Sequence, residues 1–183
     1  MKIFDPLGMD AYELAHPVNS EDFRTLRELL SGVPQRATWV PIHMEVVREE
    51  WDGQPFLESD APYLGSSYAL VFRPRAVEVM SPLLEPYGEF LPLVCTDAEL
   101  RVFNCTRAVP ALDEAASVLW RDEGDGRITH IVKHVFHPEV IRGLLVFKLT
   151  NIESSSTYVN EEFVARWTEA GLRGLTFPQV WEG

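Results

Sequence analysis

The sequence has little of what marks a disulfide-rich or membrane-spanning protein. Its two cysteines among 183 residues are too few for a disulfide framework. No window approaches the roughly 20 consecutive apolar residues that a spanning helix needs, and the first residues lack the apolar stretch of a secretory signal. We therefore expect a cytoplasmic protein without a membrane partner.

Positive charge is also scarce. The chain carries 28 acidic and 16 basic side chains, a net charge of −12, and residues 1–92 hold 15 acidic against 7 basic ones. Such a field repels phosphate backbones and attracts basic proteins. The charge argues against a nucleic-acid partner and favours a protein partner with a basic surface.

The familiar catalytic motifs are absent: the sequence has no GxGxxG, no Walker loop, no HExxH and no GxSxG. We predict no enzyme, no cofactor and no metal. His130, His134 and His137 would share one face of a helix, but their apolar neighbours favour a strand, on which His137 points away from the other two. The alternative is a small-molecule-binding protein or an uncharacterised enzyme that uses His130, His134 or Cys105 in a pocket.

Three helices are indicated by local signals. Ser20 precedes an acidic first turn and an apolar stripe that includes Leu30 and ends at Gly32. A second helix starts at Pro74, since proline suits the first turn. Asn160 caps a third helix, with Phe163 and Trp167 on its inner face and Gly171 as its end.

From Glu89 onward the hydrophobic period changes to that of strands, with a turn at Asp125-Gly126. We predict a meander-like antiparallel sheet, and hence an α+β fold with a mainly antiparallel sheet, about three helices and one domain over residues 1–183. Cys95 and Cys105 fall on neighbouring strand-like runs. They are either two buried reduced thiols or, if the runs pair closely, a disulfide.

Residues 49–63 mix carboxylates with large aromatic side chains in an irregular stretch punctuated by glycine and proline. Glu49, Glu50 and Asp52 surround Trp51, and Trp120 and Asp122 repeat the combination at a strand end. Aromatic anchors ringed by charge are typical of protein interfaces. The alternative is a solvated loop whose aromatic rings pack into the core.

Several motifs between Arg73 and Trp181 together resemble family eleven of the bacterial polymorphic-toxin immunity proteins, formerly a domain of unknown function. The motifs are LLEPYGEFLPL (83–93), FNCT (103–106), ALD (111–113) and GLTFPQVW (174–181). The resemblance divides the chain into a more variable N-terminal part, 1–66, and a family-like α+β core, 67–183.

The resemblance implies a protein that binds and neutralises a cognate toxin in interbacterial competition, without catalytic residues of its own. An adaptor that associates with itself through a large apolar patch remains an alternative, and the oligomeric state is open. The predicted toxin-binding residues are Glu49, Glu50, Trp51, Asp52, Trp120 and Asp122.

Overall fold

The computed structural model describes residues 1–29, 31–62, 64, 69–152 and 155–183. Leu30 and Tyr63, on which the first predicted helix and the predicted loop 49–63 fall, lie outside these ranges. Within them the chain forms four α-helices: α1 (Asp22–Leu29), α2 (Pro74–Leu84), α3 (Pro138–Ile141) and α4 (Glu161–Glu169). None of these described helices has the length and apolar character that a membrane crossing requires.

Helix α4 begins and ends where its sequence signals predict. Asn160 Oδ1 accepts hydrogen bonds from the backbone amides of Glu162 and Phe163 at 2.9 and 3.1 Å, which satisfies two otherwise free donors. Phe163 and Trp167 are buried. Gly171 follows the helix with a φ of +62°, a conformation that glycine adopts without strain. The predicted third helix is therefore confirmed.

Strands from the two ends of the sequence lie side by side in a five-stranded sheet. Its order is β14 (Gln179–Glu182), β1 (Lys2–Phe4), β12 (Tyr158–Asn160), β11 (Val146–Leu149) and β8 (Ala108–Val109). All neighbours are antiparallel except β8, which runs parallel to β11.

A three-stranded antiparallel sheet has the order β5 (Leu70–Phe72), β7 (Leu100–Cys105), β6 (Gly88–Leu93). The remaining strands pair in twos, all antiparallel: β2 (Leu7–Gly8) with β13 (Leu175–Thr176), β3 (Leu14–Pro17) with β4 (Met44–Val47), and β9 (Val118–Arg121) with β10 (Ile128–Lys133).

The predicted α+β class with mainly antiparallel pairing is thus confirmed, but the single meander from residue 89 onward is wrong. Strand β7 is the middle strand of its sheet, between β6 and β5, and β5 comes from earlier in the chain. Strand β8, which follows β7 in the sequence, belongs to the five-stranded sheet. The five-stranded sheet recruits β1 from the start of the sequence. Apart from β11 and β12, the neighbouring strands of this sheet are not consecutive in the chain, so short turns between consecutive strands do not set their register.

The two sheets separate three hydrophobic cores, because alternate residues of a strand face opposite sides. The central core, around α2 and α4, receives Phe103 of β7 and Val146 of β11. The α1 core, beneath α1 and the β3–β4 pair, receives Val102. The hairpin core, beneath α3 and the β9–β10 hairpin, receives Phe147. The α1 core and the hairpin core therefore lie at opposite ends of a layered molecule.

The two cysteines do not approach each other. In the β6–β7 pair Gly88 faces Cys105 and Leu93 faces Leu100, so Cys105 lies at one end and Cys95 beyond the other. Strands rise about 3.3 Å per residue, which separates the two by much more than the 4.4–6.8 Å between Cα atoms that a disulfide spans. Both are free thiols. The prediction that a disulfide is geometrically possible is therefore wrong, because the antiparallel pairing of β6 and β7 places the two cysteines at opposite ends of the pair.

Candidate functional site

The acidic turn, which consists of Glu49, Glu50, Trp51 and Asp52, extends from the end of β4. An isolated bridge joins Glu49 to Pro55, and the Glu50 amide donates to the Gln54 carbonyl at 2.8 Å. Asp52 Oδ1 accepts from the Gln54 amide at 3.1 Å. The turn therefore closes on its own hydrogen bonds and leaves Trp51 97 % exposed.

The base of the acidic turn is fixed by Arg48. Its guanidinium pairs with Asp97, and its Nε lies 3.8 Å from Glu13 Oε2. The hydrogen bond from Arg48 is the main cause of the lowered pKa of Asp97. Among the ion pairs of the described residues, none includes a carboxylate of the acidic turn. These carboxylates can therefore interact with a partner.

Trp120 and Asp122 lie on the β9–β10 hairpin. Trp120 is 64 % exposed and its ring centroid lies 5.3 Å from that of His130 on the facing strand. Asp122 Oδ1 accepts from the amides of Gly124 and Asp125, at 2.8 and 3.3 Å, and so shapes the predicted turn. The hairpin thus presents one exposed aromatic ring beside a carboxylate held by its turn.

The six predicted residues do not form one continuous surface. The acidic turn extends from the β3–β4 pair, which covers the α1 core, whereas Trp120 and Asp122 belong to the hairpin that covers the hairpin core. Both sheets and the layer of α2 and α4 lie between them. The structure therefore offers two separate surfaces, each with its own exposed tryptophan.

A cavity of about 620 Å³ lies next to Trp120. Its polar lining comes from three distant parts of the chain. Those lining side chains include Asp5, Asp122, Arg127, His130, His134, Ser156 and Tyr158. No sequence pattern links these residues, because strand pairing and not local spacing brings them together, and among them only Asp122, His130 and His134 were singled out from the sequence.

Burial perturbs two titratable groups of the cavity in opposite directions. It raises the pKa of Asp5 to about 6, although a hydrogen bond from Ser156 Oγ at 3.2 Å acts against this. It lowers the pKa of His134 to about 4, with a smaller contribution from His130. His134 Nε2 lies 3.0 Å from the Tyr158 hydroxyl. His134 is therefore a neutral hydrogen-bonding partner at neutral pH.

The cysteine of the alternative His/Cys site is not in this cavity. Cys105 lies in the central core, where burial raises its pKa to about 11. His137 has its ring 3.9 Å from Glu139, apart from the cavity that His130 and His134 line. Across the described ranges, no three His, Cys, Asp or Glu side chains are grouped so as to hold a metal ion.

Exposed tryptophans beside carboxylates are typical of proteins that bind other proteins. The family model described as the immunity protein family Imm11 matches residues 98–182. No curated protein matches the chain. The resemblance to immunity proteins is confirmed over this segment, which includes Trp120 and Asp122. The acidic turn and the motif at 83–93 precede it.

Proposed function

We propose that this protein is an immunity protein that binds a cognate bacterial toxin in the cytoplasm and neutralises it by occluding the toxin's functional surface. The match of residues 98–182 to an immunity family carries this proposal. Neutralisation proceeds by binding and requires no catalytic group of this chain. The toxin surface that it meets is basic, in keeping with the net charge of −12.

The acidic turn is the first contact surface in this proposal. Trp51 offers a large ring that is almost fully exposed, and the surrounding carboxylates attract a basic surface and speed association. The hydrogen bonds within the turn hold it in place before binding, which limits the entropy lost on association. Because the turn precedes the matched segment, we assign it to the recognition of this protein's particular toxin.

The second contact surface is the exposed part of the β9–β10 hairpin around Trp120 and Asp122. It lies within the matched segment. Since the two surfaces belong to different layers, a toxin that touches both has to extend along the side of the molecule. A toxin that touches one leaves the other free.

Calorimetric titration against the toxin, taken as the product of the adjacent gene in a catalytically disabled form, tests the proposal. Tight one-to-one binding that weakens with salt is expected, and no binding by the wild-type protein rejects it.

Charge reversal then tests the acidic turn. The variant Glu49→Lys, Glu50→Lys, Asp52→Lys should bind more weakly and with less dependence on salt. The control changes Glu28, Glu78 and Glu169 to Lys; these are exposed on helices and outside the ion pairs of the described residues. It alters net charge equally, so equal affinities for the two variants remove the acidic turn from the interface.

A further inference from the structure

The cavity and the exposed Trp120 form a continuous feature. His130 lines the cavity and contacts the Trp120 ring at 5.3 Å between centroids, and Asp122 lines it from the same hairpin. A partner that packs against Trp120 is therefore one ring away from the cavity, across His130. Its volume of about 620 Å³ lies in the range of about 300–1,000 Å³ that is usual for ligand sites.

Within the cavity, the Asp5 carboxylate accepts fewer hydrogen bonds from the described residues than its two oxygens can. Its Oδ2 accepts one hydrogen bond, from Ser156, and its backbone amide donates to the Pro178 carbonyl at 3.0 Å. Among the described residues no cation pairs with it and no donor reaches Oδ1. A cationic hydrogen-bond donor stabilises a partly buried carboxylate that has so few partners.

The other groups around Asp5 leave the cavity short of positive charge. The nearby His134 stays neutral at physiological pH, since burial holds its pKa at about 4. Arg127 donates from Nε to Asp125 Oδ2 at 2.6 Å, so its charge is already matched by a carboxylate. Asp122 adds a second negative charge to the lining. The lining therefore favours a cationic ligand.

We propose that this cavity receives a basic side chain of the toxin, whose cationic group pairs with Asp5 while Trp120 packs against the toxin backbone beside it. This inference rests on the proposed immunity function and specifies one contact of that interface. A side chain is favoured over a free metabolite because the cavity adjoins an exposed aromatic ring at the hairpin surface. The aromatic groups Tyr158 and His134 suit the stem of such a side chain.

The matched pair Asp5→Asn and Asp10→Asn tests this contact. Asparagine preserves the shape of Asp5 and can still accept from Ser156, while Asp10 is an exposed aspartate outside the cavity. In titrations with the toxin, Asp5→Asn should weaken binding at least about tenfold, chiefly through faster dissociation, and Asp10→Asn should not. Wild-type affinity in Asp5→Asn overturns the inference and leaves the immunity function standing. No toxin binding by the wild type overturns both.

A second experiment titrates the protein alone with two small probes of similar shape, butylguanidinium and butylurea, and measures the shifts of the protein's NMR signals. The cation should shift the signals of Tyr158 and the Trp120 indole in the wild type and not in Asp5→Asn. Butylurea should shift neither. Equal shifts by the uncharged probe overturn the proposed cation site and point to a cavity for an uncharged small molecule.

Discussion

Arg73 donates to the same oxygen of Glu13, Oε1, from both Nε and Nη2, at 2.9 and 2.5 Å. Oε1 also accepts from the Ser59 amide at 3.1 Å, and Glu13 is only 3 % exposed. Glu13 directly precedes β3 and Arg73 directly precedes α2. This ion pair therefore links the start of β3 to the start of α2.

We predict that Glu13→Ala lowers the free energy of unfolding by about 3–5 kcal/mol, because it leaves the largely buried Arg73 guanidinium without its main partner. Glu58→Ala is the control: Glu58 lies 3.8 Å from the same guanidinium but its side chain is 70 % exposed, so its loss should cost about 0–1 kcal/mol. Urea denaturation of both variants measures the difference. Equal costs would mean that burial does not decide how much each carboxylate stabilises the fold.

Two tryptophan substitutions should have opposite consequences. Trp51→Ala should leave stability within about 0.5 kcal/mol of the wild type, because the ring touches solvent almost everywhere. It should nevertheless weaken toxin binding by about 2 kcal/mol or more, as interface anchors do. Thermal unfolding and calorimetry report the two quantities separately.

Trp167→Ala is the matched case in the core. Its ring is 2 % exposed and lies between Phe72 and Phe177, each with a centroid 6.1 Å away. We expect a loss of about 3–5 kcal/mol in unfolding free energy. If Trp51→Ala destabilises the fold as much, the Trp51 ring packs against the protein and is not an exposed anchor.

The pH dependence of stability between pH 4 and 6 should reveal two opposing groups. Burial raises the pKa of Asp5 from 3.8 to about 6, so the folded chain keeps a proton that the unfolded chain loses, and stability falls as pH rises. Burial lowers the pKa of His134 from 6.5 to about 4, so the unfolded chain holds the extra proton, and stability rises with pH.

Single substitutions should separate these effects in thermal unfolding at intervals from pH 4 to 6. Relative to the wild type, Asp5→Asn should become more stable as pH rises, because it lacks the Asp5 carboxyl whose raised pKa makes the wild type lose stability over this range. His134→Gln should show the opposite slope. All other groups titrate alike in the three proteins, so profiles that differ only by a constant offset contradict the assignment.

The two thiols should differ sharply in reactivity. Cys95 is half-buried at a strand end, whereas Cys105 lies in the central core with a pKa raised to about 11 by burial. At about pH 8 a thiol reagent should modify Cys95 alone in the native protein, and both residues in denaturant. Cys95→Ser should take up no reagent until it unfolds. Early labelling of Cys105 would show that solvent reaches the central core.

Three of the four helices of the described residues, α1, α2 and α4, were predictable from sequence because their signals are local, whereas the four-residue α3 was missed. Asn160 bonds to amides two and three residues ahead, and Gly171 ends α4 through its own backbone conformation. The sheets were not, because a strand pattern gives the period but not the partner. The pairing of Ile3 with Trp181 has no local signal. The strand-like runs over residues 90–96 and 100–108 predicted β6 and β7, although these strands end at Leu93 and Cys105, and only the pairing register shows that Cys95 and Cys105 are far apart.

For the candidate site, the sequence predicted the types of residue but not their surroundings. Charge and aromatic content led to Trp51 and Trp120 as candidates, whose role in binding stays a prediction, but neighbouring residues do not determine whether such a ring is exposed or buried. The separation of the two surfaces depends on which core each strand pair covers. Asp5 was missed because a single aspartate near the start of the sequence acquires its environment only from Ser156 and the hairpin.

The position of β1 in the five-stranded sheet limits how early the protein can complete its fold. Residues 2–4 leave the ribosome long before both strands that flank β1, at residues 158–160 and 179–182. The five-stranded sheet therefore cannot be completed until residues 179–182 have been synthesised, and Ile3 lacks one of its two flanking strands until then. Under the proposed immunity function, protection therefore lags behind synthesis by the time this long-range pairing takes, which is slow compared with helix formation.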